Sequence, residues 1–157
     1  MRPRAFRWSI EEAQSTTTIR LQGALDENVV LDELAQTITQ PVVFDLEELG
    51  TINSVGVREW VQFVDRIADF GPHELVRCSP AFVFQLNLIY NFLGNARVQS
   101  VIAPYVCDSC KIERNIEVDT RAGSNTVLPK LACKTCDGPL SFDGIESRYF
   151  LFLRRGQ

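Results

Sequence analysis

Residues 42–60 constrain the fold of this chain more than any other segment. The unbroken apolar run Val42-Val43-Phe44 predicts a strand buried on both faces, and Asp45 ends that run. Beyond a polar loop, apolar residues recur every three or four positions and predict an amphipathic helix. This stripe consists of Val57, Trp60, Val61, Val64, Ile67 and Ala68. The loop therefore connects a strand to the helix that follows it. In α/β folds, binding and catalytic sites usually lie in such loops at the carboxyl ends of strands.

The chain before this unit predicts a hairpin and a short helix. Two β-rich stretches within residues 5–22, separated by a polar turn, predict antiparallel strands, and Gly23 ends the second. Residues 26–28 supply helix-starting side chains, and Pro41 stops the helix before the central strand. The apolar stripe of this helix consists of Leu31, Leu34, Ala35 and Ile38.

The chain after this unit predicts two more strands with a helix between them. The strands cover residues 75–78 and 98–103, and Pro104 breaks the second. Ser79 caps a helix over residues 81–93, because a proline follows it at the first helical position. The order β-β-α-β-α-β-α-β predicts an α/β fold with a mostly parallel sheet, an N-terminal β-hairpin and covering helices.

The last of these helices carries apolar residues on two faces. Its core stripe is predicted to be Val83, Leu86, Ile89 or Tyr90, and Leu93. Its second stripe consists of Phe84, Leu88 and Phe92. A helix that is apolar on two faces is normally covered on both. The second stripe must therefore meet another domain, a partner, or a second copy in a homodimer.

The segment Asp-Leu-Glu-Glu-Leu-Gly-Thr-Ile-Asn-Ser-Val-Gly-Val at residues 45–57 resembles the signature of STAS domains, the anti-sigma-factor antagonist family. The matching positions, identical or conservatively replaced, are Asp45, Leu46, Leu49, Ile52, Asn53, Ser54, Gly56 and Val57. The resemblance covers residues 5–105. It implies the fold of that family, a hairpin followed by helices and strands that alternate along one sheet.

The resemblance also implies a partner-facing surface and raises a question about phosphorylation. In the switching members of the family, the second hydroxyl residue of Asp-Ser-Ser-Gly receives a phosphate. Val55 occupies that position here and has no hydroxyl, while Ser54 keeps the first hydroxyl and becomes the candidate phosphorylation site. The partner contacts that the resemblance implies are Asn53, Ser54, Val55, Arg58, Glu59 and Gln62.

Two Cys-x-x-Cys pairs lie in the last third of the chain. Cys107 and Cys110 are followed, after 22 intervening residues, by Cys133 and Cys136. Four thiolates in two such pairs are the ligand set of a structural, tetrahedral Zn²⁺ site. Strands predicted at residues 112–118 and 148–153, with an exposed loop between the pairs, resemble a zinc ribbon. The prediction is therefore a STAS-like domain at residues 1–105 and a zinc-ribbon-like domain at residues 106–157.

Other uses of the cysteines remain as alternatives. Two disulfides are uncommon in the cytoplasm, and a dithiol redox pair normally precedes a helix, whereas neither pair here does. Cys78, on an apolar strand, is predicted to be a small buried residue, and His73 a solvated turn residue. The ribbon is predicted to dock through Phe84, Leu88 and Phe92 against residues 149–153.

Charge and composition narrow the classes of function. The net charge of −4 and the absence of a basic stripe make nucleic-acid binding an unfavoured alternative. Its phosphate contacts would be Lys111, Arg114, Arg121, Lys130 and Lys134. No apolar run is long enough for a membrane span and no secretory signal opens the chain, so a cytoplasmic location is predicted.

The leading functional prediction is a non-enzymatic, regulatory protein–protein interaction module of the anti-sigma-factor-antagonist type. No nucleophile elbow, phosphate-binding glycine loop or histidine pair points to catalysis. By resemblance, the partner is an anti-sigma-factor-like kinase or another signalling complex. A small-molecule-sensing STAS protein is a second alternative to this prediction, beside nucleic-acid binding through the ribbon.

Overall fold

The computed structural model describes residues 2–155. Its first sheet contains the strands β1 (Arg7–Ala13), β2 (Thr16–Leu25), β3 (Val43–Ile52), β4 (Glu74–Val76) and β5 (Arg97–Val98). They lie side by side in that order, with β1 antiparallel to β2 and every later pair parallel. Three helices connect the strands: α1 (Asp32–Thr37), α2 (Ser54–Arg66) and α3 (Pro80–Leu88). The predicted α/β class and the predicted hairpin are both confirmed.

The central strand is longer than its apolar run predicts. Asp45 does not end it, because β3 continues to Ile52 and stays paired with β2 as far as Leu25. The polar residues fit within the strand because one of them, Asp45, is buried against arginine side chains rather than exposed in a loop. The predicted loop therefore shrinks to Asn53, which caps α2 directly after the strand.

Aromatic side chains form the centre of the core. Phe44 of β3 packs edge-on against Trp60 and Phe63 of α2, with ring centroids 6.1 and 5.8 Å away. Trp60 also contacts Phe82 and Phe92, and its Nε1 donates a hydrogen bond of 2.9 Å to the carbonyl of Phe92. Because α3 ends at Leu88, the chain turns Phe92 inward and buries it fully. The prediction that Phe92 lies on an outer stripe is therefore wrong.

His73 is also placed differently from its prediction. It is 1% exposed, not solvated, and its ring packs against Phe44. Nδ1 accepts a hydrogen bond from the Val42 N–H (3.2 Å), and Nε2 lies 2.9 Å from the carbonyl of Ile67. These two bonds define a neutral ring with its proton on Nε2. The ring ties the start of the central strand to the end of α2.

The second sheet is antiparallel throughout. Its strands are β6 (Ser100–Cys107), β7 (Glu113–Asp119), β8 (Leu131–Ala132) and β9 (Pro139–Phe142). They lie in the order β7-β6-β9-β8. The strand predicted from Ile112, Ile116 and Val118 is thereby confirmed as β7. β6 runs through the position where the two predicted domains meet, and residues on both sides of it join one core cluster; the division at residues 105 and 106 stays a prediction.

Pro104 lies inside β6 and does not break it. Its carbonyl accepts a hydrogen bond of 2.8 Å from the Asp143 N–H, so this side of the residue faces β9. The ladder between β6 and β9 begins only at Tyr105. Pro104 therefore lacks its N–H just beyond the end of this ladder, opposite Asp143 rather than opposite a residue of β9, and the strand tolerates it.

The last described part of the chain forms two short helices rather than the predicted strand. They are α4 (Glu146–Tyr149) and α5 (Leu151–Arg154). Phe150, Phe152 and Leu153 are all buried, and the backbone there is helical, because the Phe150 N–H donates to the Glu146 carbonyl (3.1 Å) and the Leu153 N–H to the Phe150 carbonyl (3.1 Å). A short apolar run suits either element, and here burial against the core selects the helix.

The contact between α3 and the C-terminal helices is polar at its centre. Asn87 Nδ2 donates to the Tyr149 carbonyl (2.9 Å), and Asn87 Oδ1 accepts from the Phe152 N–H (2.8 Å). The predicted docking of residues 149–153 on α3 is therefore present, but through a different side chain. Phe84 and Leu88 border this contact and remain 60% and 63% exposed.

Asp45 is the charged centre of the first sheet. It is 3% exposed and forms ion pairs with Arg77 and with Arg20, the latter at 3.3 Å. Burial alone would raise the pKa of Asp45. The guanidinium of Arg77, the N–H of Glu47 and the guanidinium of Arg20 outweigh that effect and hold the pKa below its usual value of 3.8.

We expect Asp45→Asn to destabilise the fold by about 2 to 4 kcal/mol at neutral pH, because it removes the buried negative charge that Arg77 and Arg20 share. A carboxyl whose pKa is lowered by folding stabilises the protein above the unfolded pKa, and this stabilisation is lost as the pH falls through the folded pKa. Urea unfolding at several pH values below 5 should therefore show a shallower pH dependence for Asp45→Asn than for the wild type. Glu47→Gln is the matched control, because Glu47 is more exposed and contacts only Arg77 among the described ion pairs. An equal loss in both variants would contradict the prediction.

Candidate metal centre

The four cysteines lie at the ends of strands in the second sheet. Cys107 is the last residue of β6, and Cys133 directly follows β8. Each begins a tight turn, which we call the first knuckle (residues 107–112) and the second knuckle (residues 133–138). The pairing of β6 and β8 with β9, which lies between them, brings the two knuckles together.

The two knuckles have the same backbone hydrogen bonds. In the first, the Lys111 N–H donates to the Cys107 carbonyl (3.0 Å), and the Cys107 N–H donates to the Ile112 carbonyl (2.9 Å). In the second, the Asp137 N–H donates to the Cys133 carbonyl (2.9 Å), and the Cys133 N–H donates to the Gly138 carbonyl (2.7 Å). Sequences that share only Cys-x-x-Cys thus fold into two copies of one turn.

The residue after the second cysteine is left-handed in both knuckles. Lys111 and Asp137 have φ values of 63° and 57°, which residues other than glycine rarely adopt. This conformation turns the chain back so that its N–H reaches the carbonyl of the first cysteine. The sequence does not reveal Lys111, whereas Asp137 opens an Asp-Gly-Pro segment that predicts a turn in the second knuckle, and aspartate adopts this conformation more readily than most residues.

Backbone N–H groups also point at the sulfurs. The Cys110 N–H lies 3.5 Å from Cys107 Sγ, and the Thr135 N–H lies 3.4 Å from Cys133 Sγ. These two sulfurs belong to buried residues, whereas Cys110 and Cys136 are exposed. Each knuckle therefore contributes one shielded, hydrogen-bonded sulfur and one sulfur at the surface.

The sulfur positions suit one tetrahedral ion. Cys107 Sγ lies 3.4 Å from Cys136 Sγ, and Cys110 Sγ lies 3.7 Å from Cys133 Sγ. All four atoms lie within 4.8 Å of one another. A tetrahedron with metal–sulfur bonds of about 2.3 Å has sulfur–sulfur edges of about 3.8 Å. The same distances exceed the length of a disulfide bond, about 2.05 Å, and all four cysteines are free thiols.

The thiols of the cluster differ in acidity. The N–H of Thr135 and then that of Cys136 lower the pKa of Cys133 to about 6, from the usual 9.0. At Cys136 the N–H of Gly138 lowers the pKa, but the sulfurs of the first knuckle outweigh it and raise the pKa to about 11. The cluster thus loses its first protons easily and its last with difficulty. A bound cation would supply the positive charge that full deprotonation requires.

The six predicted partner contacts lie at the N-cap of α2 and within the helix itself, far along the chain from the cysteines. Asn53 is turned toward the protein itself, because its Oδ1 accepts from the Gly56 N–H (2.9 Å) and its Nδ2 donates to Glu27 (2.8 Å). Val55 and Glu59 are half-buried. The remaining three, which we call the α2 ridge, are exposed at four-residue spacing: Ser54, Arg58 and Gln62.

The side chains of the α2 ridge are scarcely used by the fold. Within residues 2–155, Arg58 contacts only the neighbouring Glu59, at 3.4 Å. Neither Ser54 nor Gln62 forms a side-chain hydrogen bond in this part of the chain. Glu27, which anchors Asn53, is a contact that the sequence alone does not reveal. An aspartate at position 53 could not donate to it.

None of the helices in the described part of the chain has the length and apolar content that a membrane span requires. No protein-family model matches the sequence, and neither does any curated protein.

Proposed function

We propose that this chain is a non-enzymatic regulatory module that binds a protein partner through the α2 ridge. The observation that carries the proposal is the exposure of Ser54, Arg58 and Gln62 on one side of a rigid helix. The helix is rigid because Trp60 and Phe63 are fully buried and because Asn53 caps its first turn. Three exposed polar side chains on a fixed scaffold, of which only Arg58 has a contact, the exposed pair with Glu59, are suited to recognition.

The architecture of the first sheet supports a STAS-like assignment. A hairpin, a central strand and a helix that begins directly at the end of that strand occur in the order that the STAS signature implies. Gly56 supports it further, because it allows α2 to lie against the backbone of Leu25. The proposed partner is accordingly an anti-sigma-factor-like kinase or a related signalling protein, in the cytoplasm.

For the cysteine cluster, the proposal is a structural Zn²⁺ in a zinc-ribbon-like unit. With all four thiolates bound to the ion, no position is open to a water molecule or substrate, which suits a structural role. The metal would hold the two knuckles and, through β6, the adjoining part of the core. Tetrahedral thiolate sites also accept iron, so metal analysis of purified protein distinguishes the two ions.

An affinity capture from the native host tests the proposed surface. We expect wild-type protein to recover a specific partner and Arg58→Glu with Gln62→Lys to reduce the recovery by about tenfold or more, as for the central residues of an interface. Lys130→Glu is the control, since it reverses an exposed charge just before β8, at the second sheet. Ser54→Asp, tested separately, imitates a phosphate at the start of α2.

Three outcomes of the capture would count against the α2 ridge. A partner lost only with Lys130→Glu would move binding to the second sheet, where nucleic acid is the alternative. A partner retained by every variant would exclude the ridge as the binding surface. Recovery of nothing specific would favour small-molecule sensing, which a thermal-shift screen then tests.

A further inference from the structure

The strand β1 leaves one long edge of the first sheet open. It is the terminal strand, and within residues 2–155 it pairs only with β2. Its seven residues contrast with the two residues of β5 at the opposite edge. An unpaired strand edge of this length is a template for another strand.

The hairpin turn defines which backbone groups face outward. Gln14 and Ser15 form a two-residue turn with φ values of 50° and 67°, so Ala13 and Thr16 make the hydrogen-bonded pair that closes it. Hydrogen-bonded pairs alternate along an antiparallel ladder. The backbone groups of Arg7, Ser9 and Glu11 therefore face β2. Those of Trp8, Ile10 and Glu12 face outward and are available to a new strand.

The side chains of β1 complement themselves when the strand meets its own copy. In an antiparallel pairing centred on Ser9, Arg7 of one protomer lies opposite Glu11 of the other, and Trp8 lies opposite Ile10. The two-fold axis repeats each of these pairs. Opposite charges and apolar pairs directly across from each other stabilise such a ladder.

The residues involved are free to form these pairs. Ile10 is 41% exposed, although it shares its face with Trp8, which packs against the core. Glu11 has no ion pair within residues 2–155. Arg7 contacts only Gln22 through a side-chain bond of 3.0 Å, and this bond uses Nε and leaves both terminal nitrogens of the guanidinium.

The long open edge of the second sheet, formed by β7, does not complement its own copy in this way. β7 ends the second sheet, and it also has seven residues. Centred on Asn115, a two-fold pairing would place Glu113 opposite Glu117 of the other protomer. Centred on Ile116, it would place Glu113 opposite Asp119. These like charges disfavour pairing of β7 with a second copy, and charged side chains are a usual way for proteins to prevent edge strands from pairing.

We propose that two copies of this chain associate through an antiparallel β1–β1 ladder centred on Ser9. The ladder joins the two five-stranded sheets into one continuous ten-stranded sheet. A single pair of seven-residue strands buries less area than a standard interface, so the dimer is weak and in rapid exchange. The inference rests on the β1 edge alone and is independent of the function proposed for the α2 ridge.

Sedimentation velocity of the full chain, from low to high micromolar concentration, tests the ladder. Wild-type protein should shift from monomer to dimer across this range. Arg7→Glu and Glu11→Arg should each weaken the dimer by about tenfold, because each creates two like-charge pairs. The double variant Arg7→Glu, Glu11→Arg exchanges the partners and should restore wild-type association.

Two further variants separate the ladder from general charge effects. Glu12→Arg is the matched control, because it makes the same charge change one residue away, where no charged residue lies opposite. Ile10→Pro removes an outward N–H without touching the bonds to β2, and it should abolish the dimer. Circular dichroism and thermal melting check that each variant remains folded.

The proposal is overturned by any of three results. Wild-type protein that stays monomeric at every concentration excludes the ladder. A dimer that survives both Ile10→Pro and the single charge reversals lies elsewhere on the molecule, and Phe84→Ser with Leu88→Ser would then locate it. A double charge variant that stays as weak as the single variants also contradicts the pairing of Arg7 with Glu11.

Discussion

Replacing Cys133 with serine should abolish metal binding and unfold the second sheet around the two knuckles. Cys133 is buried, and its sulfur lies 3.7 Å from that of Cys110. Structural zinc sites supply on the order of 10 kcal/mol of apparent binding free energy, which becomes folding free energy when the site exists only in the folded state. On one side of β6 the second sheet consists only of β8, with two residues, and β9, with four. Strands this short bury little apolar surface, so the metal would be their main source of stability.

The effect should spread beyond the knuckles through β6. Its residues Val101, Ala103 and Tyr105 are buried in the common core, and the strand ends at Cys107. Hydrogen exchange should therefore show lost protection first in β8 and β9 and then along β6. A lower melting temperature of the whole chain should accompany it.

Cys78→Ala is the matched control for this prediction. Cys78 is fully buried, burial raises the pKa of its thiol, and it lies outside the cluster. This variant should lose a modest amount of stability and keep its full complement of metal. If Cys133→Ser retained one metal per chain and normal protection of β8 and β9, the four-thiolate centre would be contradicted.

Gly56→Ala should destabilise the chain by more than about 3 kcal/mol, at the upper end of the cost of overpacking a core. A Cβ at this position would lie 1.9 Å from the carbonyl oxygen of Leu25 and 2.3 Å from its carbonyl carbon. These are backbone atoms held in place, because the Leu25 carbonyl accepts from the Asn53 N–H (3.1 Å) and Leu25 pairs with Ile52. The start of α2 would have to move away from the sheet.

Gly50→Ala is the matched control within the neighbouring strand. A Cβ at Gly50 would meet its nearest atom, the Gly23 carbonyl oxygen, at an ordinary 3.7 Å. Urea or thermal unfolding should therefore show a change near zero for Gly50→Ala and a large loss for Gly56→Ala. Equal stability of the two variants would show that α2 does not lie against Leu25 as described. The same displacement should weaken any partner held by the α2 ridge.

Local patterns predict the elements that depend on neighbouring residues. The hairpin, the helix after the central strand and the cysteine cluster all follow from short-range spacing, and the structure contains each of them. Two Cys-x-x-Cys pairs restrict the chain so strongly that their convergence can be expected without knowledge of the strands between them.

Features that depend on distant residues could not be predicted in this way. The burial of Asp45 rests on Arg77, 32 positions away, and that of His73 on Val42, 31 positions away. Phe92 turns inward where its carbonyl accepts a hydrogen bond from Trp60. The helices α4 and α5 form where Phe150 and Leu153 pack into the core. In each case a tertiary contact overrides the local preference of the segment.

The predicted partner contacts on α2 also combine a feature that local sequence predicts with one that a distant residue determines. The position of the α2 ridge on the helix follows from the sequence, whereas the hydrogen bond that engages the Asn53 side chain depends on Glu27, 26 positions earlier. The predicted contact set of six residues therefore contains three that project freely and three that the fold already engages.

Native mass spectrometry of the purified 157-residue chain, combined with a count of reactive thiols, tests the four-thiolate metal centre most directly. We expect one divalent ion per folded chain, identified as zinc by elemental analysis. We also expect thiols that react fully only after a chelator and a denaturant have released the ion. Protein that is folded and metal-free, with the masses of two disulfides, would contradict the metal centre and require a different account of the second sheet.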